Sequence, residues 1–338
     1  FKKVHFYKPE DFLVLDGATQ RNLELIKNLR DGSRKNTLLE VLDKATTSMG
    51  SRMIKKWIVR PLVKKDAISQ RQDAVEELVK DQLLTEKLQE LFSQLSDLER
   101  VIGRISLKRA ALLDYVALAS SLEFVPKIKK TLQMRSGLLE KIGNKIGEFG
   151  FLYDLLKAAI NTDLSEDKII KTGFNQKLDE LRVLVDQSSN KILELEQQEQ
   201  KNTGIASLKI RYNQVQGYYI EVTKPNIHLV PTEYVRTQTL TGKERYVTSE
   251  LKQLQTDIDL ARSSISKVEA EVFEEVKSEV AKFIADLRRT ANALAHQDAL
   301  LGFARVAFDS GYVRPEFTDG RDILIEDGVH PVVQQNMT

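Results

Sequence analysis

The 338-residue sequence predicts a mainly α protein: a helical body, long antiparallel helical arms, and a small antiparallel β domain inserted between the arms. Three observations predict it. Apolar residues recur at helical spacing through most of the chain. Two apolar stripes with a period near 3.5 residues stand on either side of one segment. That segment contains "IRYNQVQGYYIEVTKPN" (210–226), which is β-branched and aromatic and turns at a glycine.

In chain order, residues 1–16 read as a short strand or linker ending in "DFLVLD", with Asp16 or Thr19 as a helix cap. Residues 17–30 have helical spacing, and "DGSRKN" (31–36) is a loop by its Gly, Ser and Asn content. The spacing is helical again from Thr37 to Arg60, where Pro61 stops it. Asp66 precedes a further helical run, and breaks are expected near Ser96, Gly103, Pro126 and Gly143–Gly150. Roughly seven or eight helices are expected before Lys171. No fixed-period repeat is visible, which argues against a solenoid.

The first stripe is Phe174, Leu178, Leu181, Val185, Ser188, Ile192 and Leu195. The second is Leu251, Leu254, Ile258, Ala261, Ile265, Val268 and Val272, and it continues through Val276, Val280, Phe283 and Leu287 after one phase step. Each stripe alone would serve as ordinary core. Flanking one insertion, the two pack most economically on each other as an antiparallel pair. The first arm, about 28 residues at 1.5 Å each, is roughly 40 Å long, so the insertion is expected at its far end.

Within the insertion, strands are expected at 207–213, 218–223, 236–240 and 244–248, with a Pro-bounded loop through 224–235. Gly217 and Gly242 mark two hairpin tips, because tight turns need the positive φ that glycine tolerates. Both tips are expected to point away from the arms. Tyr212, Tyr218, Tyr219 and Tyr246 suit cross-strand packing.

Charge is uninformative globally, at +2, and informative locally. Residues 205–248 carry six basic groups (Lys209, Arg211, Lys224, Arg236, Lys243, Arg245) against three acidic ones (Glu221, Glu233, Glu244). Both arms are net acidic, so positive charge collects at the end of an acidic stalk. With Gln214, Gln216, Gln238, Asn226 and Thr241 interleaved, the insertion suits phosphate oxygens. An ordinary solvated surface would carry a similar excess.

Other function classes find little support. The chain has no cysteine, which excludes disulfides, thiolate metal sites and a cysteine nucleophile. His5, His228, His296 and His330 lack metal-ligand spacing. "TGKERY" lacks the rest of a phosphate-loop motif. No nucleophile–base pair and no run long enough to span a membrane is present. The chain is therefore expected to be neither an enzyme nor a membrane protein.

Several segments together resemble the MutS family of DNA mismatch repair proteins: "LDGATQRNLEL" (15–25), "TLLEVLDKATTSMGSRMIKKWIVRPL" (37–62), "ISQRQDAVEEL" (68–78), "DLERVIGRISLKRA" (97–110), "GFNQKLDELR" (173–182), "YNQVQGYYIEVTK" (212–224), "TQTLTGKERYVTSELK" (237–252), "YVRPEF" (312–317) and "EDGVHPVVQ" (326–334). They run in the family's order over nearly the whole chain. The resemblance implies a linker from the connector at 1–16 and a core or lever region at 17–203 that includes the descending arm. It implies a β clamp at 204–248, a returning lever helix at 249–312, and the start of a truncated ATPase domain at 313–338. The chain is expected to be an internal piece, since Phe1 replaces a starting Met and the mismatch-reading wedge and the phosphate loop are absent.

The resemblance further implies non-specific backbone binding of duplex DNA by the clamp and conformational coupling by the lever. In the family, an ATPase domain using ATP and Mg opens and closes paired arms; no cofactor is expected in this stretch. A homodimer, a MutL-type partner and a cytoplasmic, nucleoid-associated location follow from the family. By motif, the DNA-contacting residues are Thr241, Gly242 and Lys243 at the second tip with Arg236 on its strand. Gln214 and Gln216 at the first tip follow, then Lys224 and Asn226. Arg52, Trp57, Pro61 and Arg71 are structural on this mapping. The family's usual E-G-R-H-P is Asp327-Gly328-Val329-His330-Pro331 here, without the arginine. A protein-interaction scaffold with a β tip is the rival reading.

Overall fold

The computed structural model describes residues 11–163, 168–318 and 320–337. Most of the linker expected at 1–16 lies outside them; of the rest, Phe12 bridges Leu62 in antiparallel fashion. Nine helices precede residue 171 among the described residues: α1 (Gly17–Asn22), α2 (Leu38–Leu42), α3 (Ser48–Val59), α4 (Lys65–Lys80), α5 (Gln82–Ser93), α6 (Leu98–Ser106), α7 (Leu112–Gln133), α8 (Gly137–Lys145) and α9 (Gly150–Ala159). The insertion and arms follow as α10 (Gln176–Thr203), β1 (Lys209–Asn213), β2 (Gly217–Thr223), a 3-10 helix (Lys224–Leu229), β3 (Val235–Leu240), β4 (Lys243–Val247) and α11 (Ser249–Lys282). Helices α12 (Ile284–Ser310) and α13 (Pro331–Met337) complete a mainly α chain with one small antiparallel sheet. No helix among the described residues is long and apolar enough to cross a membrane.

Local signals placed some boundaries and missed others. Asp16 caps α1, accepting from the Thr19 N–H at 2.7 Å. The helical spacing over 17–30 does not produce one helix, because α1 ends at Asn22. Beyond it Glu24 turns to φ +47° and Leu25 is buried. The Leu39 N–H bonds to the Leu25 carbonyl at 2.9 Å, so a tertiary contact overrides the local period. The expected breaks at Gly103 and Pro126 are likewise absent. Pro126 lies inside α7, where it removes one helical donor. Leu122, Val125, Ile128 and Leu132 are all buried around it, and their packing holds the helix continuous. The returning run reads as one helix in the sequence but is divided at Phe283.

Two compact units result, one formed by residues up to 157 together with 279–338, the other by 158–278. In the first, α12 is the central element, with Leu287, Leu294, Ala299, Leu300, Leu301 and Ala304 among its buried residues. It also buries a carboxylate. Asp298 accepts from the Thr46 N–H at 2.9 Å, the Thr47 N–H at 2.7 Å and the Thr47 hydroxyl at 2.6 Å. These donors bend the chain between α2 and α3, which splits the expected Thr37–Arg60 helix in two. Burial pushes the Asp298 carboxyl above its ordinary value, against the pull of the Thr47 and Thr46 donors. Gly50 is required here, since a Cβ would lie 2.2 Å from the Asp298 Oδ2. Asp298→Ala orphans buried donors at roughly 1–3 kcal/mol each, and should lower the urea midpoint of the chain accordingly. An unchanged midpoint would show the network to be dispensable.

Candidate nucleic-acid interface

The second unit begins with the arms. Asn175 caps α10 by accepting from the Leu178 N–H at 3.0 Å. Leu178, Ile192 and Leu195 on α10 are buried, as are Leu251, Ile258, Val268 and Val272 on α11. These are stripe positions, while off-stripe Val183, Leu184, Leu193 and Leu260 are all more than half exposed. Contacts fix the direction. Arg182 NH2 meets Glu269 Oε1 at 2.8 Å at one end, and Leu195 shares a core with Leu251 at the other. Residues advancing along α10 therefore meet residues receding along α11, which is the antiparallel pairing the stripes predict.

The Arg182–Glu269 pair is buried, with side-chain exposures of 11% and 12%. Arg182 NH2 also donates to the Ile170 carbonyl, and Glu269 Oε1 also accepts from the Ile169 and Ile170 N–H groups at 3.0 Å. Both charges are thus hydrogen-bonded as well as paired, the condition under which a buried ion pair is sustained.

At the other end of the arms, Gly204 adopts φ +66° and reverses the chain. Strand β1 then runs back along the last turns of α10. The Ile210 N–H bonds to Glu196 Oε2 at 2.6 Å, and Gln200 Nε2 donates to the Leu208 carbonyl at 2.7 Å. The sheet order is β1-β2-β4-β3, antiparallel throughout. Its inner face joins the arms in one core of Leu195, Ile205, Leu208, Ile220, Val222, Tyr234, Tyr246 and Leu251. Two tyrosine hydroxyls close that core on carboxylates, Tyr234 on Glu199 and Tyr246 on Glu244 at 2.5 Å. Burial, reinforced by Glu244, pushes the Tyr246 hydroxyl up to about 12, and burial with Glu199 raises Tyr234 as well. Both stay protonated donors. Tyr212 packs on Tyr218 across the strands at 5.0 Å, as their spacing predicts.

The expectation that both hairpin tips point away from the arms is wrong for the first. It would require β2 and β4 to run parallel, and they pair antiparallel, Ile220 opposite Tyr246 and Thr223 opposite Lys243. The tips therefore lie at opposite ends of the sheet. The first, Gln214–Gln216, sits beside α11, where the Tyr218 N–H bonds to Gln255 Oε1 at 3.1 Å. Gly217, at φ +75°, is so close that a Cβ would meet the Gln255 amide at 2.1 Å. The second tip, Thr241–Gly242, lies at the free end. There the Lys224 N–H bonds to the Gly242 carbonyl at 3.0 Å.

Directly opposed residues share a face of a sheet. One cross-strand row is Lys209, Glu221, Arg245 and Gln238; beside it lie Arg211 opposite Tyr219, and Thr223 opposite Lys243. The outer face thus gathers Lys209, Arg211, Lys243 and Arg245 around a single carboxylate. Glu221 pairs with Lys243 at 2.8 Å and Arg211 at 3.4 Å. Arg245 stacks on Tyr219, its guanidinium carbon 4.2 Å from the ring centroid, and donates to Gln238 at 2.7 Å. Lys209 and Lys224 are exposed, and among the described residues no carboxylate pairs with either.

Of the eight residues singled out from the sequence, Thr241, Gly242 and Lys224 come together at the free end, with Lys243 adjacent. Asn226 is nearby but spends its amide on Ser207 at 3.0 Å and Thr223 at 3.3 Å. Gln214 and Gln216 are at the opposite end. Arg236 is on the inner face, because a bulge between Arg236 and Gln238 puts those two on opposite faces. It pairs there with Glu244 at 3.5 Å while remaining 62% exposed. Lys209, Arg211 and Arg245 were not among the eight. Their two-residue spacing, Lys209/Arg211 and Lys243/Arg245, was the available signal, since period 2 places both members on one face. Among the described residues no group of three or more His, Asp or Glu side chains could hold a metal ion.

A family model described as MutS domain III matches residues 18–304. The chain is 40% identical, over 99% of its length, to the DNA mismatch repair protein MutS of Methanothrix thermoacetophila, of which it covers 40%. It is 40% identical to the DNA mismatch repair protein MutS of Caldicellulosiruptor saccharolyticus (99% of this chain, 39% of that one). For the same protein of Alkaliphilus oremlandii the identity is 41% (98% and 38%). The chain spans about two fifths of the length of these curated relatives.

Proposed function

The chain belongs to the MutS family of DNA mismatch repair proteins, and from that premise we propose that its four-stranded sheet is a clamp that holds duplex DNA by the phosphate backbone, independently of sequence. The single observation that carries this reading is the outer sheet face, four cations around one carboxylate at the end of the paired arms. Lysine and arginine supply charge to phosphate oxygens. The exposed Thr241–Gly242 turn adds a hydroxyl and backbone donors. Such contacts fix position on a duplex without reading bases. The arms act as a lever. Held side by side by their apolar stripes and locked by Arg182 and Glu269, they carry displacement of the clamp along their length toward an ATPase domain in the full-length protein.

The test is an anisotropy titration of a labelled duplex with the 338-residue chain over a salt series. Neutralising about four phosphates gives a log–log slope near −3.6, and matched and mismatched duplexes should bind equally. A flat salt dependence, or binding abolished by Val215→Asp but untouched by Lys243→Glu, would favour the rival reading as a protein-interaction scaffold. A marked preference for mismatched duplex would overturn the sequence-independent mode.

A further inference from the structure

The helical unit holds a second concentration of positive charge, unrelated to the sheet. A cavity of about 250 Å³ is lined by Trp57 on α3, Gln70 and Arg71 on α4, Lys145 on α8, and Asn292 and His296 on α12, with an apolar floor. No acidic side chain is among its lining residues. Arg71 lies against the Trp57 ring, its guanidinium carbon 3.7 Å from the centroid, and among the described residues no carboxylate pairs with it. Its loss of hydration pulls its pKa down to about 10. The His296 ring centroid is 5.6 Å from that of Trp57, tilted by 60°. Its Nδ1 lies 2.7 Å from the Asn292 carbonyl, which assigns the proton to Nδ1 and leaves Nε2 as the available ring atom.

The charges acting on His296 are all cationic: Arg71 from α4, Lys56 from α3 and Lys145 from α8. Burial, then these charges, holds the imidazole below its ordinary value against the Asn292 bond. Gln70 Oε1 is approached by the Lys141 ammonium at 3.4 Å, leaving the Gln70 NH2 as a donor. A half-buried guanidinium without a counter-charge is poorly solvated, and an anion would relieve it. Arg71, Lys145 and Gln70 offer donors (a planar fork, an ammonium and an amide NH2), and His296 Nε2 becomes a donor when the ring is protonated. The volume admits a small oxyanion and several waters, at about 30 Å³ per water.

We propose that this pocket binds a compact tetrahedral oxyanion of the phosphate or sulfate type, with Arg71 as the principal ligand and Lys145 and His296 completing the charge. The site is independent of the clamp reading, which can fail without affecting it. Binding of the anion favours the imidazolium form of His296, so a proton is taken up and affinity rises as pH falls.

Trp57 is the one tryptophan of the chain, so its emission reports on this pocket. Sulfate, whose charge is constant between pH 6 and pH 8, is titrated into the 338-residue chain at fixed ionic strength. The expected result is a saturable change in emission, tighter at pH 6 than at pH 8, reproduced by inorganic phosphate and not produced by acetate. Arg71→Gln should weaken binding by about tenfold or more. Should that variant fail to fold, Lys145→Gln, at the exposed rim, should weaken it severalfold. A non-saturating response, or one shared equally by wild type and whichever variant folds, would overturn the proposal. Equal saturation by acetate would overturn it too, by pointing to a carboxylate side chain as the occupant.

Discussion

Replacing Lys209 and Arg245 together by glutamine should reduce the log–log salt slope of duplex binding from near −3.6 to near −1.8, because two of about four neutralised phosphates lose their partners. Between 50 and 200 mM salt the wild-type chain would then lose affinity about 150-fold, and the double variant only about 12-fold. The experiment compares slopes, so a general loss of binding does not mimic the result. Arg245→Lys is the matched control. It keeps the charge but weakens the stack on Tyr219 and the bond to Gln238, so the slope should stay near the wild-type value. Arg236→Gln provides the sharper contrast. Read from the sequence, Arg236 is a phosphate ligand; in the fold it faces inward and pairs with Glu244. Its neutralisation should move the slope far less than that of Lys209 or Arg245. Equal effects would mean that the outer face is not the contact surface.

Arg182→Met should cost about 3–5 kcal/mol in the stability of the unit that carries the arms, because it leaves the buried Glu269 carboxylate without its cation. The loss should appear as faster amide exchange in α10 and α11, with exchange in α12 little changed. Adding Glu269→Gln to Arg182→Met should recover part of the loss. Glutamine keeps an oxygen for the Ile169 and Ile170 N–H groups and removes the stranded charge. A double variant no more stable than Arg182→Met would show that these residues act separately. Since a clamp on frayed arms is poorly held, duplex affinity should fall in the single variant and partly return in the double.

Both arms were legible because a 3.5-residue stripe is a local property of sequence, and the buried positions of α10 and, Phe273 apart, of α11 fall on the predicted stripes. The four strands were legible for the same reason, their composition and their two glycine turns. Caps such as Asp16 and Asn175 are equally local. Misreadings arose where distant residues decide. Pro126 does not break α7, because the packing around it outweighs one lost hydrogen bond. The helix expected over 17–30 stops at Asn22, because Leu25 is drawn into the core and bonded to Leu39. The split between α2 and α3 depends on Asp298, some 250 residues away in the chain.

The candidate site divides along the same line. By itself the sequence determined that six cations fall in one short β-rich insertion between two matched helices, since composition and period need no partner to be read. Only the tertiary structure decided which of them share a surface. Strand direction across β2 and β4 is set by pairing between strands that are not neighbours in the chain, and the bulge beside Thr237 by how β3 meets β4. A single reversal or a one-residue slip carries a side chain to the other face.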